Sequence, residues 1–346
     1  MLRSFGAFLL ALVAVYLSTP FMRALALRYG IVDEPNQRKV HSVPIPYLGG
    51  VAIYLGFLVG LLLVPGAWPR LAGLLTGGTL ILVLGVIDDV WNLPAKVKFA
   101  GQVAVATLAV LMGLRIQGLT NPFGGYLHLG WWGIPLTVLW LVSFTNVMNL
   151  VDGLDGLAAG VAAIAAGALS VVAFEKGQLL VATLALALSG SAAGFLPHNF
   201  NPAKIFMGDA GAMFLGFVLA GIAVQGALKG AAAIALVIPV VALGVPVLDT
   251  ACAIIRRFQN GQPISEADRG HFHHRLLALG LSPKQAVLFV YLLSFALGSG
   301  AIFMARLSPL SSAFFVVVVA GALLLLAERI GVIKPLGARG DRGRTA

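Results

Sequence analysis

The chain has 346 residues, of which 59% are hydrophobic and only 10% are charged, and its formal net charge is +10. Soluble globular domains carry about 25% charged residues, so a chain with so few charges could not cover a water-exposed surface. Composition therefore excludes soluble, disordered, collagen-like and disulfide-stabilised proteins, and it predicts an all-α, polytopic integral membrane protein. The positive charge is attributed to loops that set membrane orientation, and no nucleic-acid partner is predicted.

Apolar runs interrupted by charges, prolines or glycines predict eleven membrane-spanning helices. We interpret the first run as a retained span, because no small-residue cleavage site precedes Arg23. Residues 1–334 then form a single transmembrane catalytic domain, and residues 335–346 form a disordered, basic cytoplasmic tail. The loop 115–130 predicts a small surface hairpin. The predicted helices lie near residues 4–27, 47–66, 71–88, 97–114, 131–149, 156–174, 178–196, 208–226, 231–254, 283–304 and 309–328.

The loops between these spans fall into two sets with very different charge. One set and the C-terminal tail hold 17 of the 23 Lys and Arg residues. Since basic residues are retained in the cytoplasm, the N-terminus is predicted outside and the C-terminus inside. Of the 13 acidic residues, only Glu175 lies on the outer side. The orientation rule does not explain this bias, and carboxylates at membrane depth are costly, so the chemistry is predicted at the cytoplasmic face.

Two adjacent carboxylates, Asp88 and Asp89, end the third predicted span. The dipole at a helix C-terminus disfavours negative charge, and no basic residue lies within three positions. A bound cation would compensate this charge. The two side chains point about 100° apart, which predicts that one lies near a metal ion and the other near a nucleophile or a second phosphate. A solvated helix terminus is the alternative.

Two further clusters combine carboxylates with amide or aromatic side chains. Asn149, Asp152 and Asp155 share one face if the fifth helix continues through them, although a helix cap would explain one Asp. Asp209 begins the eighth span, with Phe206 one turn before it. Carboxylates from three helix ends suit Mg²⁺, which prefers oxygen ligands. For Phe206, base stacking and simple apolar packing are equally good readings.

Three histidines, His271, His273 and His274, lie between Arg269 and Arg275 in a long cytoplasmic loop. A zinc site is disfavoured because no Cys lies nearby and the H-E-x-x-H pattern is missing. The cluster instead predicts a clamp of cationic and hydrogen-bond-donor groups on phosphate oxygens. An ordinary solvated basic loop would explain the arginines but not the grouped histidines.

These motifs together resemble the polyprenyl-phosphate N-acetylhexosamine-1-phosphate transferase family, glycosyltransferase family 4. The resemblance extends from about residue 30 to residue 282, and its specificity comes from the order of the blocks and their shared membrane side. The five blocks are Asp33-Glu34-Pro35 with Pro46-Tyr47-Leu48-Gly49-Gly50, Asp88-Asp89, Asn149-x-x-Asp152-Gly153-x-Asp155-Gly156, Phe206-Met207-Gly208-Asp209, and His271-x-His273-His274.

The resemblance implies ten or eleven helices around a cytoplasmic cleft, and Mg²⁺ as the cofactor with Mn²⁺ as a substitute. Asp209 would bind the metal, with Asp88 and Asp89 beside it and beside the lipid phosphate, and one of that pair as a base. The remaining implied roles are nucleotide-sugar binding by Asn149, Asp152 and Asp155, uracil stacking by Phe206, diphosphate contacts by His271, His273 and His274, and a place near the metal for Asn199.

One branch of the family matches best. The loop from Gly261 to Leu277 and the stretch Arg38-Lys39-x-His41 are similar to bacterial initiating transferases for teichoic acid and O-antigen-type glycans. They depart from the His-His-His version of the peptidoglycan-precursor translocases, and the residue replacing the translocases' nucleotide-binding lysine is left open. This branch implies an inner-membrane enzyme that transfers N-acetylglucosamine-1-phosphate from UDP-N-acetylglucosamine (UDP-GlcNAc) to undecaprenyl phosphate and releases UMP. Substrate contacts would include Arg38, Lys39, His41, Arg269 and Arg275.

Other readings stay open at this point. One is a translocase-type activity on phospho-N-acetylmuramoyl-pentapeptide. Another is a secondary transporter of an anionic metabolite, but transporters place their charges near the bilayer midplane, whereas these lie at cytoplasmic helix ends. Within the transferase reading, direct attack by the lipid phosphate is favoured over a covalent carboxylate–phosphate intermediate. Whether the chain works alone or as a homodimer is open.

Overall fold

A computed structural model describes residues 1–33, 44–64, 68–120, 125–227, 232–259 and 271–332. The described part is almost entirely helical, which confirms the all-α membrane fold. Its thirteen helices are α1 (Leu2–Tyr29), α2 (Gly49–Leu61), α3 (Trp68–Trp91), α4 (Ala95–Leu111), α5 (Gly133–Val151), α6 (Leu157–Glu175), α7 (Leu179–Asn199), α8 (Gly208–Ala227), α9 (Ala232–Ala242), α10 (Gly244–Gln259), α11 (Phe272–Ala278), α12 (Pro283–Met304) and α13 (Pro309–Ile330).

Two small antiparallel sheets connect the helices. Strand β1 (Val32–Asp33) pairs with β2 (Ile45–Pro46), after α1 and before α2. Strand β3 (Gly118–Thr120) pairs with β4 (Tyr126–His128). The second pair confirms the hairpin predicted between residues 115 and 130.

Eight of the described helices are long and apolar enough to cross a membrane, and the bent pair α9 and α10 makes nine if the pair forms one broken span and not a re-entrant loop. Helix α2 has 13 residues and α4 has 17, so both are shorter than a typical span of about 20 residues. Every predicted segment coincides with helical structure. The count of eleven crossings remains a prediction.

The single helix predicted over residues 231–254 is divided in the structure. The structure has two helices there, which meet at an angle of 81°. Helix α9 ends at Ala242, and α10 begins at Gly244 with Pro246 in its first turn. Proline lacks the N–H that would continue the hydrogen-bond ladder, and a nearby glycine permits the sharp change of direction. The short helix α11 was not predicted either.

Helix α8 is the centre of the bundle, and every residue in it except Asp209 is buried. It packs against helices α2, α3, α5, α6, α7 and α9. Small residues allow backbones to approach closely in membrane proteins. A Cβ atom on Gly85 of α3, or on Gly50 of α2, would lie 2.3 Å from a backbone atom in the first turn of α8. The position of Asp209 is therefore fixed by direct backbone contact from two sides.

The chain alternates between two ends of the bundle. Residues at the C-terminal ends of α3 and α7, and at the N-terminal ends of α8 and α12, line one shared cavity. At the other end, α6 and α12 finish together, where Lys176 donates to the carbonyl of Ala305 at 2.9 Å and Arg306 pairs with Glu175. Helix α13 lies at the periphery, and only Ser312 and Ala327 within it are buried.

Candidate active site

The cavity at the first end of the bundle has a volume of about 670 Å³. It is open to the exterior and its wall combines carboxylates, amides and aromatic rings. The structure thereby brings together eight of the predicted site residues, namely Asp88, Asp89, Asp152, Asp155, Asn199, Phe206, Asp209 and His274.

Four side chains from four helices form what we call the carboxylate cluster: Asp88, Lys98, Asn149 and Asp209. The Lys98 ammonium pairs with Asp88 Oδ2 at 2.8 Å and also with Asp209. It donates to Asn149 Oδ1 at 3.0 Å, and Asn149 Nδ2 donates to Asp209 Oδ1 at 2.7 Å. The ends of α3, α4, α5 and α8 thus meet around one positive charge.

Lys98 is the functional residue that sequence reasoning missed. In the sequence it counts only as one of the basic residues near a cytoplasmic loop. A usable signal existed, because Lys98 lies inside α4, nine residues after Asp89, and an ionisable group in a membrane helix is a functional hypothesis by default. The structure makes it the counter-charge of the predicted metal ligands.

Asp88 and Asp89 have different partners in the structure. Their predicted roles near a metal ion and near a nucleophile or second phosphate stay predictions. Asp88 faces Lys98 and accepts from the backbone N–H of Leu93 at 2.8 Å. Asp89 accepts from the backbone N–H of Asp209 at 2.7 Å and of Ala210 at 3.2 Å. A carboxylate at a helix N-terminus satisfies free N–H groups and complements the dipole. Asp89 therefore caps α8 and positions Asp209.

The donor set of this cluster fits a hard divalent cation. Among the described residues, no three carboxylate, imidazole or thiolate side chains form a complete cation cage. Magnesium, however, is usually held by one or two carboxylates together with substrate phosphates and water. Asp88, Asp209 and the side-chain oxygen of Asn149 supply such a partial set. Both oxygens of Asp89 already accept backbone hydrogen bonds.

Asp155 and Asn199 hold the loop between α7 and α8 against the start of α6. Asn199 Oδ1 accepts from the N–H of Gly156 at 3.0 Å, and its Nδ2 donates to the carbonyl of Ile205 at 3.0 Å. Asp155 Oδ2 accepts from Asn201 Nδ2 at 3.0 Å and from the N–H of Ala203 at 2.9 Å. These bonds fix the loop that presents the next aromatic residue to the cavity.

Asp152 lies on the turn between α5 and α6, beside these groups. Burial, together with the nearby carboxylates of Asp209 and Asp155, raises the pKa of Asp152 to about 8. At pH 7 this carboxyl is therefore mostly protonated. The acidic side chains of the wall are close enough to oppose one another's ionisation, and a bound cation would relieve that repulsion.

An aromatic pair, Tyr47 and Phe206, forms another part of the wall. The two ring centroids lie 6.2 Å apart and the ring planes are inclined by 47°. The N–H of Phe206 donates to the carbonyl of Pro46 at 2.9 Å, which ties the α7–α8 loop to β2. Burial and a hydrogen bond to Asp33 raise the pKa of the Tyr47 hydroxyl, so it stays neutral. Flat apolar faces of this kind suit a nucleobase.

A second group, which we call the histidine cluster, consists of Asp249, His271, His273 and His274. His274 lines the cavity, whereas His271 and His273 are buried behind it. The rings of His271 and His273 are parallel within 3°, with centroids 5.8 Å apart. Burial and the neighbouring His274 lower the pKa of His273 to about 4, so it is neutral. Of the three predicted histidines, the structure brings His274 alone to the cavity wall.

The other predicted site residues lie elsewhere. Arg275 is on the exposed side of α11 and is not part of the cavity wall. The predicted contacts Arg38, Lys39, His41 and Arg269 lie outside the described residues, as does the predicted tail 335–346. Asn149 does not line the cavity itself but reaches Asp209 from behind it.

Comparison with known proteins shows the family of this chain. The sequence profile described as glycosyl transferase family 4 matches residues 71–227. A Bacillus subtilis protein described as a probable undecaprenyl-phosphate N-acetylglucosaminyl 1-phosphate transferase is 41% identical over 336 residues, covering 96% of this chain and 94% of that protein.

Two further relatives extend the comparison. A Mycolicibacterium smegmatis decaprenyl-phosphate N-acetylglucosaminephosphotransferase is 40% identical, covering 82% of this chain and 78% of its own length. The Escherichia coli K12 undecaprenyl-phosphate alpha-N-acetylglucosaminyl 1-phosphate transferase is 28% identical, covering 83% and 81%. With the profile match and 41% identity over nearly the whole length of the Bacillus subtilis protein, the chain belongs to glycosyl transferase family 4.

Proposed function

We propose that this protein transfers N-acetylglucosamine-1-phosphate from UDP-GlcNAc to undecaprenyl phosphate, releasing UMP and forming undecaprenyl-diphosphate-GlcNAc. This would be the first lipid-linked step of a cell-envelope glycan. The observation that carries the proposal is the convergence of Asp88, Asn149 and Asp209 on the ammonium of Lys98, beside an open cavity that Asp88 and Asp209 line. Relatives whose names describe this transfer support the choice of substrates.

The reaction requires two anions to meet. An oxygen of the lipid phosphate attacks the sugar-linked β-phosphorus, and a new P–O bond forms there. The bond between the β-phosphorus and the bridging oxygen breaks, and its electron pair leaves with UMP. The nucleophile is already an anion near neutral pH, so strong base catalysis is unnecessary. Positioning and neutralisation of charge are the main requirements of such phosphoryl transfer.

The carboxylate cluster meets the requirement for charge. Asp88 and Asp209, with Asn149, are the residues that would hold Mg²⁺, which when bound neutralises phosphate charge. Lys98 pairs with the same two carboxylates and places a second positive charge beside the cavity. Asp89 keeps the first turn of α8, and hence Asp209, in a fixed position through its two backbone hydrogen bonds. Fixed charges of this kind need no reorganisation during the reaction.

The remaining wall accommodates the nucleotide and its diphosphate. The rings of Tyr47 and Phe206 offer apolar faces to uracil, and Asn199 and Asp155 hold the loop that carries Phe206. His274 supplies a hydrogen-bond donor for diphosphate oxygens on the opposite part of the wall. The proposal thus gives each part of the reactants a chemically suitable neighbour.

We also propose that the cavity faces the cytoplasm in a bacterial inner membrane. The basic residues are concentrated in loops at the same end of the helices as the cavity, and such residues stay on the cytoplasmic side. The N-terminus then lies outside and the C-terminus inside. Both UDP-GlcNAc and the phosphate of the lipid would be accessible from this side.

A defined reconstitution tests the proposal. The purified protein is supplied with undecaprenyl phosphate, Mg²⁺ or EDTA, and a panel of UDP-GlcNAc, UDP-N-acetylgalactosamine, UDP-glucose and UDP-N-acetylmuramoyl-pentapeptide. Among these sugar nucleotides, we expect only UDP-GlcNAc to give UMP release and a lipid-diphosphate product detected by mass spectrometry, and only when both undecaprenyl phosphate and Mg²⁺ are present. UMP release that is indifferent to the lipid would refute the transferase assignment. Preference for UDP-N-acetylmuramoyl-pentapeptide would establish the translocase alternative. Full activity in EDTA would refute the proposed requirement for Mg²⁺.

A further inference from the structure

The carboxylate of Asp249 makes two specific hydrogen bonds that the proposed reaction does not use. Asp249 is on α10, just after the 81° bend, and only 5% of its surface is exposed. Its Oδ1 accepts from the backbone N–H of Phe272 at 2.9 Å, and its Oδ2 lies 3.0 Å from His271 Nδ1. Burying a carboxylate is costly unless its oxygens are satisfied, so this side chain requires an explanation.

Both bonds act on the start of α11, which carries the histidine cluster. A carboxylate can only accept, so the proton of His271 lies on Nδ1, and its ring orientation is fixed. The ring of His271 stacks in parallel on that of His273. His273 in turn contacts Gly153, where an added Cβ would lie 2.5 Å from His273 Nε2. A continuous series of contacts therefore runs from α10 to the turn between α5 and α6.

His274 follows directly after this anchored segment and is the member of the cluster that lines the cavity. Its neighbours His271 and His273 are each 5% exposed and lie behind the wall. The position of His274 relative to Asp152 and Asp155 therefore depends on how α11 is seated. Helix α11 has only seven residues, and helices of this length are not stable by themselves.

We propose that Asp249 is a positioning residue that fixes His271 and the start of α11, and thereby places His274 against the diphosphate of the sugar nucleotide. The inference rests on the proposed function, since it takes the diphosphate as the ligand of His274. It separates the three histidines into one that meets the ligand and two that seat the helix. The proposal also assigns a role to the bend between α9 and α10, because Asp249 follows this bend and contacts the start of α11.

A double-mutant cycle distinguishes this role from a general structural one. The variants are Asp249→Asn, His274→Ala and the double substitution, and UMP release is measured at saturating lipid. We expect Asp249→Asn to lower kcat by about tenfold, but by less than twofold when His274 is already replaced, because residues that act through one another are not additive. Multiplicative losses would overturn the proposal. Glu175→Gln, the same chemical change at the opposite end of the bundle, serves as the control.

A spectroscopic measurement tests the same contact without turnover. In protein labelled with ¹⁵N-histidine, we expect the His271 ring to carry its proton on Nδ1, and the signal is assigned by its loss in His271→Gln. In Asp249→Asn the side-chain amide presents a donor to the ring, so the proton should move to Nε2. An unchanged tautomer in Asp249→Asn would overturn the proposal even if the transferase activity is established. Conversely, lack of any UMP release by the unmodified protein would refute only the proposed function.

The activity and spectroscopic measurements require that Asp249→Asn and its control Glu175→Gln are folded. Melting temperatures in detergent are compared for the unmodified protein, Asp249→Asn and Glu175→Gln. If Asp249→Asn does not fold, His271→Asn and His271→Ala replace it, because an asparagine amide can still donate to Asp249 where alanine cannot. We then expect His271→Asn to retain at least fivefold more activity than His271→Ala. Equal activity of these two variants would contradict the positioning role.

Discussion

The carboxylate cluster and the histidine cluster occupy two sides of one cavity, but they are built in different ways. The carboxylate cluster lies at the ends of α3, α4, α5 and α8, and α8 is buried along its whole length. The histidine cluster lies on the seven-residue α11 and the bent α10, near the edge of the bundle. The first combines close backbone packing of several helices with the hydrogen bonds of Asp89, whereas the start of the short α11 depends more on the hydrogen bonds of one side chain, Asp249.

The difference indicates where geometric precision comes from. Groups that hold a cation must be fixed within a fraction of an ångström, and rigid helices supply this more reliably than loops. Gly50 and Gly85 let neighbouring helices reach the backbone of α8, so Asp209 has little freedom. At the edge of the bundle, the short α11 buries Phe272 and Leu276, and Asp249 adds the two hydrogen bonds that fix its start. Substitutions in the two clusters should therefore affect activity and stability to different extents.

The largest effect is expected for Asp209→Asn. This change keeps the shape of the side chain but removes a charge from the carboxylate cluster, where it pairs with Lys98 and would ligate the metal. We expect UMP release to fall by about 10³-fold, the upper end of losses seen when one preorganised electrostatic group is removed. Glu175→Gln, an equivalent change far from the cavity, should remain within twofold of the unmodified protein. Retained turnover in Asp209→Asn would contradict the role given to this cluster.

An intermediate effect is expected for Gly85→Ala, which tests whether packing alone fixes the carboxylate cluster. The added Cβ would lie 2.3 Å from Ala210 Cα, so α3 and α8 must separate. We expect a loss of about 1–3 kcal/mol in stability, as is typical of overpacking, and a drop in activity of about tenfold.

The matched control is Gly321→Ala on α13, where an added Cβ meets nothing within 4 Å. Alanine is the better helix former, so this variant should melt at the same temperature or higher. Equal melting temperatures for Gly85→Ala and Gly321→Ala would show that the close contact between α3 and α8 does not fix the cluster.

The smallest effect concerns pH and the histidine cluster. The pKa of His273 is lowered to about 4 in the folded protein, against about 6.5 for an unfolded histidine. Below pH 6.5 the unfolded state binds a proton that the folded state does not, so stability falls as the pH falls towards 4. The slope from this group approaches about 1.4 kcal/mol per pH unit. Melting temperatures between pH 7 and pH 5 should fall less steeply in His273→Gln, and identical slopes would indicate an exposed His273.

The convergence of the predicted carboxylates could be read from the sequence because it depends only on topology. Alternating spans bring every second helix end to the same side, so Asp88, Asp152 and Asp209 had to share a face. Apolar runs of sufficient length also located the helices, and the glycine- and polar-rich segment between two apolar runs located the β3–β4 hairpin. These features need no knowledge of how the helices are rotated about their axes.

The unpredicted features depend on that rotation and on contacts between distant segments. Whether Asp88 or Asp89 faces Lys98 is decided by a difference of about 100° around α3. The separation of His274 from His271 and His273 depends on Asp249, which lies 22 residues before His271 and whose partner no spacing rule identifies. The break at Leu243 lies within a continuous apolar run, and composition reports hydrophobicity but not the direction of a helix.

The first turn of α8 has one more consequence, for how this sequence can change over evolutionary time. Ordinary cores drift by paired replacement, in which one residue grows while its neighbour shrinks. Here Gly50 and Gly85 already meet Gly211 and Ala210, so there is almost nothing left to shrink. Substitutions at this junction have no compensating partner, and relatives that retain the cavity should carry the same small residues there.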